Sequence, residues 1–489
     1  MSRVWDALVI GTGPGGAVTA RALAEAGLRV LAVEEGEWTE PGSVPPFSLE
    51  QMRRQYRGGG LTAALGRPSV AYTEGRGVGG GSEVNSGLYH RPSADLLAGW
   101  SRDWRIDGLD VPELSPHSDL VEKELSVSTL PWALPASSQV LARGADALGW
   151  RGFEVPRWAV CEQRDGRRQV RRQTMSVTYW PRAIAAGAEL RQRSRVLRLE
   201  LAGPRAVAAV VRDLVTGRTE RVVFEHVFVC AGAIQTPALL QRSGLRRNIG
   251  GNLSVHPTVK VTAEFDEPVN DGDVPVYQVK EFGSALSFGG SASRPSLLAL
   301  ALSENWPAFG PALARWERLF VYYAAIQSIG RGRVLAVPGF ADPLVTYRLT
   351  GGDHELLRTG LARLMHLLLA AGASVLYPSF RGAPVVANPA GIAAATAAMT
   401  PARASLMTVH LCGTVPMGED LARCGADSYG RVHGTVNVHV NDASLLPSAP
   451  GVNPQGTIMA VAARNVRHFL AGRLDSRRPL CPTSFHQLS

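Results

Sequence analysis

Val4-Trp5-Asp6-Ala7-Leu8-Val9-Ile10-Gly11-Thr12-Gly13-Pro14-Gly15-Gly16 is the stretch on which the fold turns. An apolar run of strand length passes directly into glycines spaced GxGxxG, and an Ala-rich helical run from Ala17 to Ala26 follows before Gly27. Arg29 to Val33 then reads as a second strand, which closes one strand–helix–strand unit. Glycine at these positions permits the tight turn, close backbone approach to a pyrophosphate and close packing of helix on strand; the helix start supplies unpaired N–H groups. Glu34, at the end of the second strand, is placed to accept hydrogen bonds from an adenosine ribose, with Glu35 as the competing choice. The unit predicts an α/β, Rossmann-type dinucleotide-binding domain whose contacts include Gly11, Gly13, Pro14, Gly15 and Gly16. It does not by itself separate FAD from NAD.

The 489 residues suffice for more than one domain, and 45% hydrophobic against 19% charged residues excludes a disordered chain. The apolar run at Val4 leaves no room for a secretion signal, and later apolar stretches are broken before membrane-spanning length. A cytoplasmic protein without a membrane partner is therefore expected. Cys161, Cys230, Cys412, Cys424 and Cys481 form no CxxC pair, and their odd count suits neither a disulfide framework nor a metal site. Lys plus Arg number 51 against 42 acidic residues, which fits a nucleic-acid surface or a basic enzyme holding an anionic cofactor. The densest basic run, Arg164 to Arg172, lacks interleaved aromatics and sits beside Asp165 and Gly166, so a solvated loop and no nucleic-acid partner are expected.

Glu40 to Arg67 carries loop punctuation with little periodicity and reads as a lid or extended cover. Three β-rich runs between Arg193 and Phe224, with turn signals at Ala202-Gly203-Pro204 and Thr216-Gly217, predict an antiparallel meander, followed by a short strand from Val227 to Cys230. From Val259 to about Val345 β-type segments alternate with breaks, and Glu355 to Ala370 is an amphipathic helix. Another long helix is expected from about Gln455. The predicted division is a discontinuous dinucleotide-binding domain at 1–150, 190–258 and 402–475, and a substrate domain with a mainly antiparallel sheet at 151–189 and 259–401. Residues 476–489 are expected to form a frayed tail.

Gly75-Arg76-Gly77-Val78-Gly79-Gly80-Gly81-Ser82-Glu83-Val84-Asn85-Ser86-Gly87-Leu88-Tyr89-His90-Arg91-Pro92 resembles the first signature of the glucose-methanol-choline (GMC) oxidoreductases. Val229 to Leu245 resembles the second, departing where Arg246 replaces a usual glycine; His410 to Gly418, Asn441 to Ser444 and Gly451 to Gln455 resemble the family's C-terminal segments. The resemblance implies FAD in a glutathione-reductase-like βαβ frame with a β-meander. It also implies cofactor contacts from Arg76, Gly79, Gly80, Ser82, Asn85, Ser86, Gly87, Val196, Ala231, Gly232, Asp442, Ala443, Asn453, Pro454 and Gln455. Members with a histidyl-linked flavin carry His just before the signature Asn, where this chain has Val84, so non-covalent FAD is expected.

An alcohol becomes a good hydride donor when its hydroxyl proton leaves with the hydride, which calls for a base beside the flavin, and imidazole suits that task. Among eleven histidines, His410 matches the family's catalytic histidine, and Asn453 matches its partner. Asn cannot titrate, so the pair divides into one base and one hydrogen-bond donor. The bland alternatives are a core histidine bonded to a backbone carbonyl and a helix N-cap before Pro454. His256 and His433 read as structural, and Gln278, Glu281, Tyr322 and Tyr323 are substrate-side candidates by location. No GxSxG elbow or metal motif occurs. The resemblance therefore implies FAD-dependent oxidation of a small-molecule alcohol to a carbonyl, with oxygen or another electron acceptor; relatives of this kind tailor sugars, aminoglycosides and other specialised metabolites. The alternatives are a different flavin chemistry, sterol-type oxidation or a lyase reaction, and a non-catalytic flavin-binding scaffold.

Overall fold

The computed structural model describes residues 4–164 and 167–476. Strand β1 (Val4–Ile10) leads into helix α1 (Pro14–Glu25), which has Pro14 in its first turn, and then into β2 (Val30–Val33). Further along lie β3 (Glu189–Arg191), β4 (Ser194–Ala202), β5 (Arg205–Asp213) and β6 (Thr219–Val229). The sheet order is β4-β5-β6-β1-β2-β3, with Val438–Val440 also paired to β6. β1 is central, with parallel neighbours on both sides, which is why its sequence is a continuous apolar run rather than an alternation.

The glycine turn after β1 is fixed by backbone contacts. A Cβ on Gly15 would stand 2.0 Å from the Asn441 carbonyl oxygen, and one on Gly16 would stand 2.1 Å from that of Gly11. Gly11 adds a positive φ of 95° and a 2.4 Å approach to the Cys230 carbonyl.

Three local expectations change. The strand expected at Val227 to Cys230 is the second half of β6: one continuous strand pairs antiparallel with β5 and then parallel with β1. Glu40 to Arg67 contains a helix, Leu49–Gln55, capped by Ser48, and a strand, Thr62–Ala64. The buried residues of that helix are Gln51 and Gln55, so hydrophobic periodicity could not reveal it. The basic run is a hairpin, Arg157–Arg164 with Arg167–Arg172, and Arg172 turns inward instead of into solvent. The expected tail lies outside the described residues from 477 onward.

A second, nine-stranded sheet contains β7 (Thr258–Glu264), β8 (Tyr277–Phe282), β9 (Leu286–Gly290) and β10 (Leu319–Ile326), in the order β7-β10-β9-β8, all antiparallel. Helix α2 (Gly351–Ala370), opened by a Thr350/Asp353 capping box, packs on it. Chain segments cross between the two halves more often than the expected division allows. Val70–Tyr72 and Leu406–Thr408 join the second sheet, and Ala136–Leu148 packs against α2. Of 151–189, Gly152–Glu154 joins the second sheet, whereas Tyr179–Ala185 packs on α1 with Trp180 fully buried. Helix α3 (Gln455–Ser476) lies beside α1. Among the described residues no helix is long and apolar enough to cross a membrane.

Gly15→Ala forces a backbone clash that no side chain can relieve, so urea unfolding is expected to show a loss of about 3 kcal/mol or more, or no soluble protein. Unchanged stability would show that the Asn441 contact is not tight.

Candidate active site

A cavity of about 650 Å³ runs from the glycine turn of β1 and α1 to the inner face of the second sheet. At the first end, Glu34 accepts from Thr12 N (3.1 Å), Thr12 Oγ1 (2.6 Å) and Gly36 N (2.9 Å). Burial pushes its carboxyl above the usual range against these bonds. Glu35 also lines the cavity, but Arg57 pairs with it at 2.9 Å and Arg76 at 3.3 Å, and these cations win over burial and lower its pKa. Asp442 closes the other side of the turn, accepting from Gly232 N (2.8 Å), Thr236 Oγ1 (2.6 Å) and Ser444 N (2.7 Å).

The cavity wall includes Gly11, Gly13, Pro14, Gly15, Gly80, Asn85, Ser86, Gly87, Val196, Ala231, Gly232, Ala443, Asn453, Pro454 and Gln455. Four expected contacts are behind it. Gly16 packs on Gly11, and Arg76 holds Glu35. Gly79 donates to Thr12 Oγ1, and Ser82 bonds Gly79 O and Met175 N. These residues shape the glycine segment behind that wall. Arg172, which sequence reasoning placed on a solvated loop, donates to the carbonyls of Glu83 and Asn85 and so clamps this segment from below.

At the far end, antiparallel pairing of Ser254–Val255 with Leu411–Cys412 sets Val255 opposite Leu411 and therefore His256 beside His410. Their Nδ1 atoms are 2.9 Å apart, and Asn453 Nδ2 lies 3.3 Å from His410 Nε2. Gln278 Nε2 reaches both Asn453 Oδ1 (3.3 Å) and Tyr323 Oη (3.4 Å). Tyr322 instead donates to Ser137 O, and Glu281 pairs with Arg151 at the surface, so neither enters the site. His433 contacts Gly418 O in a structural role.

His256 was read as structural, yet it controls His410. Gly451 N–H donates to His256 Nε2 at 2.8 Å, which places the hydrogen of neutral His256 on Nδ1. His410 Nδ1 must then accept, and the hydrogen of neutral His410 sits on Nε2, facing Asn453. An Asn453 amide turned to present Oδ1 satisfies it, with the Gln278 amide turned likewise so that its Oε1 accepts from Asn453 Nδ2 and Tyr323 Oη.

Burial, and then the charge of Lys280, lower the His410 pKa to about 4. Lys280 itself is pushed down to about 8 by burial, and its Nζ donates to Gly451 O at 2.6 Å. Lys260, on β7, also lines the cavity. Neither lysine was singled out from the sequence, although a signal was there: the chain has three lysines, Lys123, Lys260 and Lys280, among 51 basic Lys and Arg residues.

GMC oxidoreductase family models match residues 52–258, for the N-terminal part, and 331–462, for the C-terminal part. The chain belongs to the GMC oxidoreductase family. It is 41% identical over 474 residues to an uncharacterised GMC-type oxidoreductase of Sinorhizobium fredii, covering 94% of this chain and 93% of that protein. It is 27% identical to 6'''-hydroxyparomomycin C oxidase of Streptomyces lividus, covering 96% and 93%. It is also 27% identical to a long-chain-alcohol oxidase of Arabidopsis thaliana, covering 94% and 66%. The fold matches that of pyridoxine 4-oxidase from Mesorbium loti at a TM-score of 0.71 and 20% identity, over 96% and 99% of the two chains.

As a GMC oxidoreductase, the chain is an oxidoreductase, and FAD is the cofactor that the family implies. The residues present fit that group. A Cβ on Gly81 or Gly232 would meet nothing within 4 Å, and on Gly13 only Gly80 Cα at 3.9 Å, so these glycines leave the cavity open where a flat ring system and a pyrophosphate need room.

Proposed function

We propose that this GMC oxidoreductase oxidises the CH–OH of a small-molecule alcohol to a carbonyl, with His410 receiving the hydroxyl proton, Asn453 holding the oxygen, and oxygen or another acceptor taking the electrons. The observation that carries the reading is the meeting of His410 and Asn453 on the wall of the same cavity that begins at Gly13 and Glu34. Bound FAD supplies the two-electron acceptor for the carbinol hydride. The Gly13–Gly15 turn, Asn85, Ala231 and Asp442 would hold it.

Burial and Lys280 keep His410 neutral at physiological pH, the state in which an imidazole accepts a proton. As negative charge develops on the hydroxyl oxygen, it favours protonation of the adjacent ring. Receipt at Nε2 requires the tautomer in which His410 Nδ1 donates to His256 Nδ1. Gly451 N–H then loses its acceptor, at a cost of about 1–3 kcal/mol, which is small beside a catalytic barrier. His256 and Gly451 thus set which face of His410 is basic.

Three outcomes test the reading. Anaerobic mixing with a panel of alcohols should bleach the yellow protein, and His410→Ala should slow bleaching by about a hundred- to ten-thousandfold with flavin content retained; equal rates would remove His410 from the chemistry. The rate should stay level from neutral pH down and fall only near pH 4, where His410 protonates. Lys280→Met removes a neighbouring positive charge, makes protonation easier, and should move that acid limb upward toward the ordinary 6.5. Finally, Val84 in place of a linking histidine supports non-covalent FAD, so acid precipitation should leave the colour in the supernatant; a yellow pellet would refute it.

A further inference from the structure

Lys260 and Lys280 stand on the face of the second sheet that lines the cavity, on β7 and β8, with β10 and β9 between them. Three inter-strand spacings and an offset of two residues along the strand put their backbones about 16 Å apart. Among the described residues neither ammonium has a carboxylate within ion-pair distance. Within that set Lys280 bonds only a backbone carbonyl, and Lys260 Nζ has no hydrogen-bond partner among the described residues.

The five carboxylates on the cavity wall are engaged elsewhere. Glu34 and Asp442 are held by the glycine turn and its neighbours, Glu35 and Glu74 flank Arg57, and Glu304 faces Arg381 at 3.9 Å. Lys260 is half-buried on the cavity wall, and no carboxylate among the described residues offsets the water its ammonium has lost. Burial alone lowers the Lys260 pKa to about 8.

Composition sharpens the point. A chain that uses Arg at nearly every basic position keeps two of its three lysines in this cavity. Lysine offers a compact point charge on a flexible stem where the Arg fork would need a wider planar seat. Across the strand from Lys260 stands Tyr323, whose hydroxyl lies 3.4 Å from the Gln278 amide that also reaches Asn453. Beside this path apolar Val321, Ala325, Leu297 and Leu300 line the cavity together with Ser291, Ser303 and Ser379.

We propose, building on the alcohol-oxidation reading above, that the natural alcohol carries an anionic group, a carboxylate or a phosphate monoester, which pairs with Lys260 while its carbinol lies against His410 and Asn453 across an apolar spacer. A polycationic amino sugar would meet two like charges in the same cavity.

The FAD-loaded enzyme is to be assayed with ω-hydroxyoctanoate, octanediol monophosphate, octanol and ω-aminooctanol. An anionic substrate should exceed octanol in kcat/KM by roughly ten- to a hundredfold, and ω-aminooctanol should fall below octanol. The better of the two anionic arms identifies the acid group. Lys260→Met should collapse the anion-to-octanol ratio, mainly through KM, and Lys260→Arg should restore part of it. Octanol oxidised as well as both anions by the wild type overturns the proposal, whether or not the variants fold, as does a ratio retained in Lys260→Met. Octanoate, which cannot react, gives the separate readout. Its saturable perturbation of the oxidised flavin spectrum should weaken at least tenfold in Lys260→Met. Octanoate binding without oxidation of any alcohol would keep the anion site and overturn the chemistry instead. Octanol oxidation with no octanoate binding would overturn the anion site alone.

Discussion

The contact on which the molecule depends is backbone against backbone: the turn between β1 and α1 meets the carbonyls of Cys230 and Asn441 at distances that exclude a Cβ. It joins chain segments hundreds of residues apart at the carboxyl ends of β1, β6 and Val438–Val440, where an open parallel sheet presents its crevice. From that junction Asp442 faces the turn, and the chain continues through Gly451 and Asn453 into α3. The same contact that closes the core therefore delivers the cofactor end of the cavity and one half of the proposed His410–Asn453 pair.

The other half comes from a different source. His410 stands between two short strands, one in the large antiparallel sheet and one paired with Ser254–Val255, so its place depends on the second half of the molecule. The sheet also brings Gln278, Lys280 and Tyr323 to the cavity, and these set the local electrostatics. Lys280 and Gly451 act together: Lys280 bonds the Gly451 carbonyl while the Gly451 N–H fixes the His256 tautomer. Charge and proton position at His410 are thereby controlled through one short loop.

Such coupling has an energetic logic. Burial lowers the pKa of both the His410 imidazole and the Lys280 ammonium, and the lysine's charge lowers that of the histidine further, with no carboxylate in between. A carboxylate there would have tied up the lysine and raised the histidine. Its absence leaves a neutral base beside an ammonium, in a cavity whose acidic groups are all committed elsewhere.

The sequence by itself determined whatever is local: the glycine turn and its strands, the meander, α2 and α3, and the motif positions of His410 and Asn453. Short-range sterics and hydrophobic period fix the elements within a few residues, and the two residues come from the family resemblance. It missed the helix at Leu49–Gln55, because that helix buries glutamines, and it divided the chain at composition breaks that strand pairing ignores. It took the folded chain to set His256 beside His410, to turn Arg172 inward under the glycine segment, and to face Lys260 and Lys280 onto a cavity with no carboxylate partner for either among the described residues. Those facts follow from cross-strand register and burial, which join residues far apart in the chain and leave no periodic trace along it. The scarcity of lysine was visible from the start, and it acquired meaning once the folded sheet showed where two of the three had been kept.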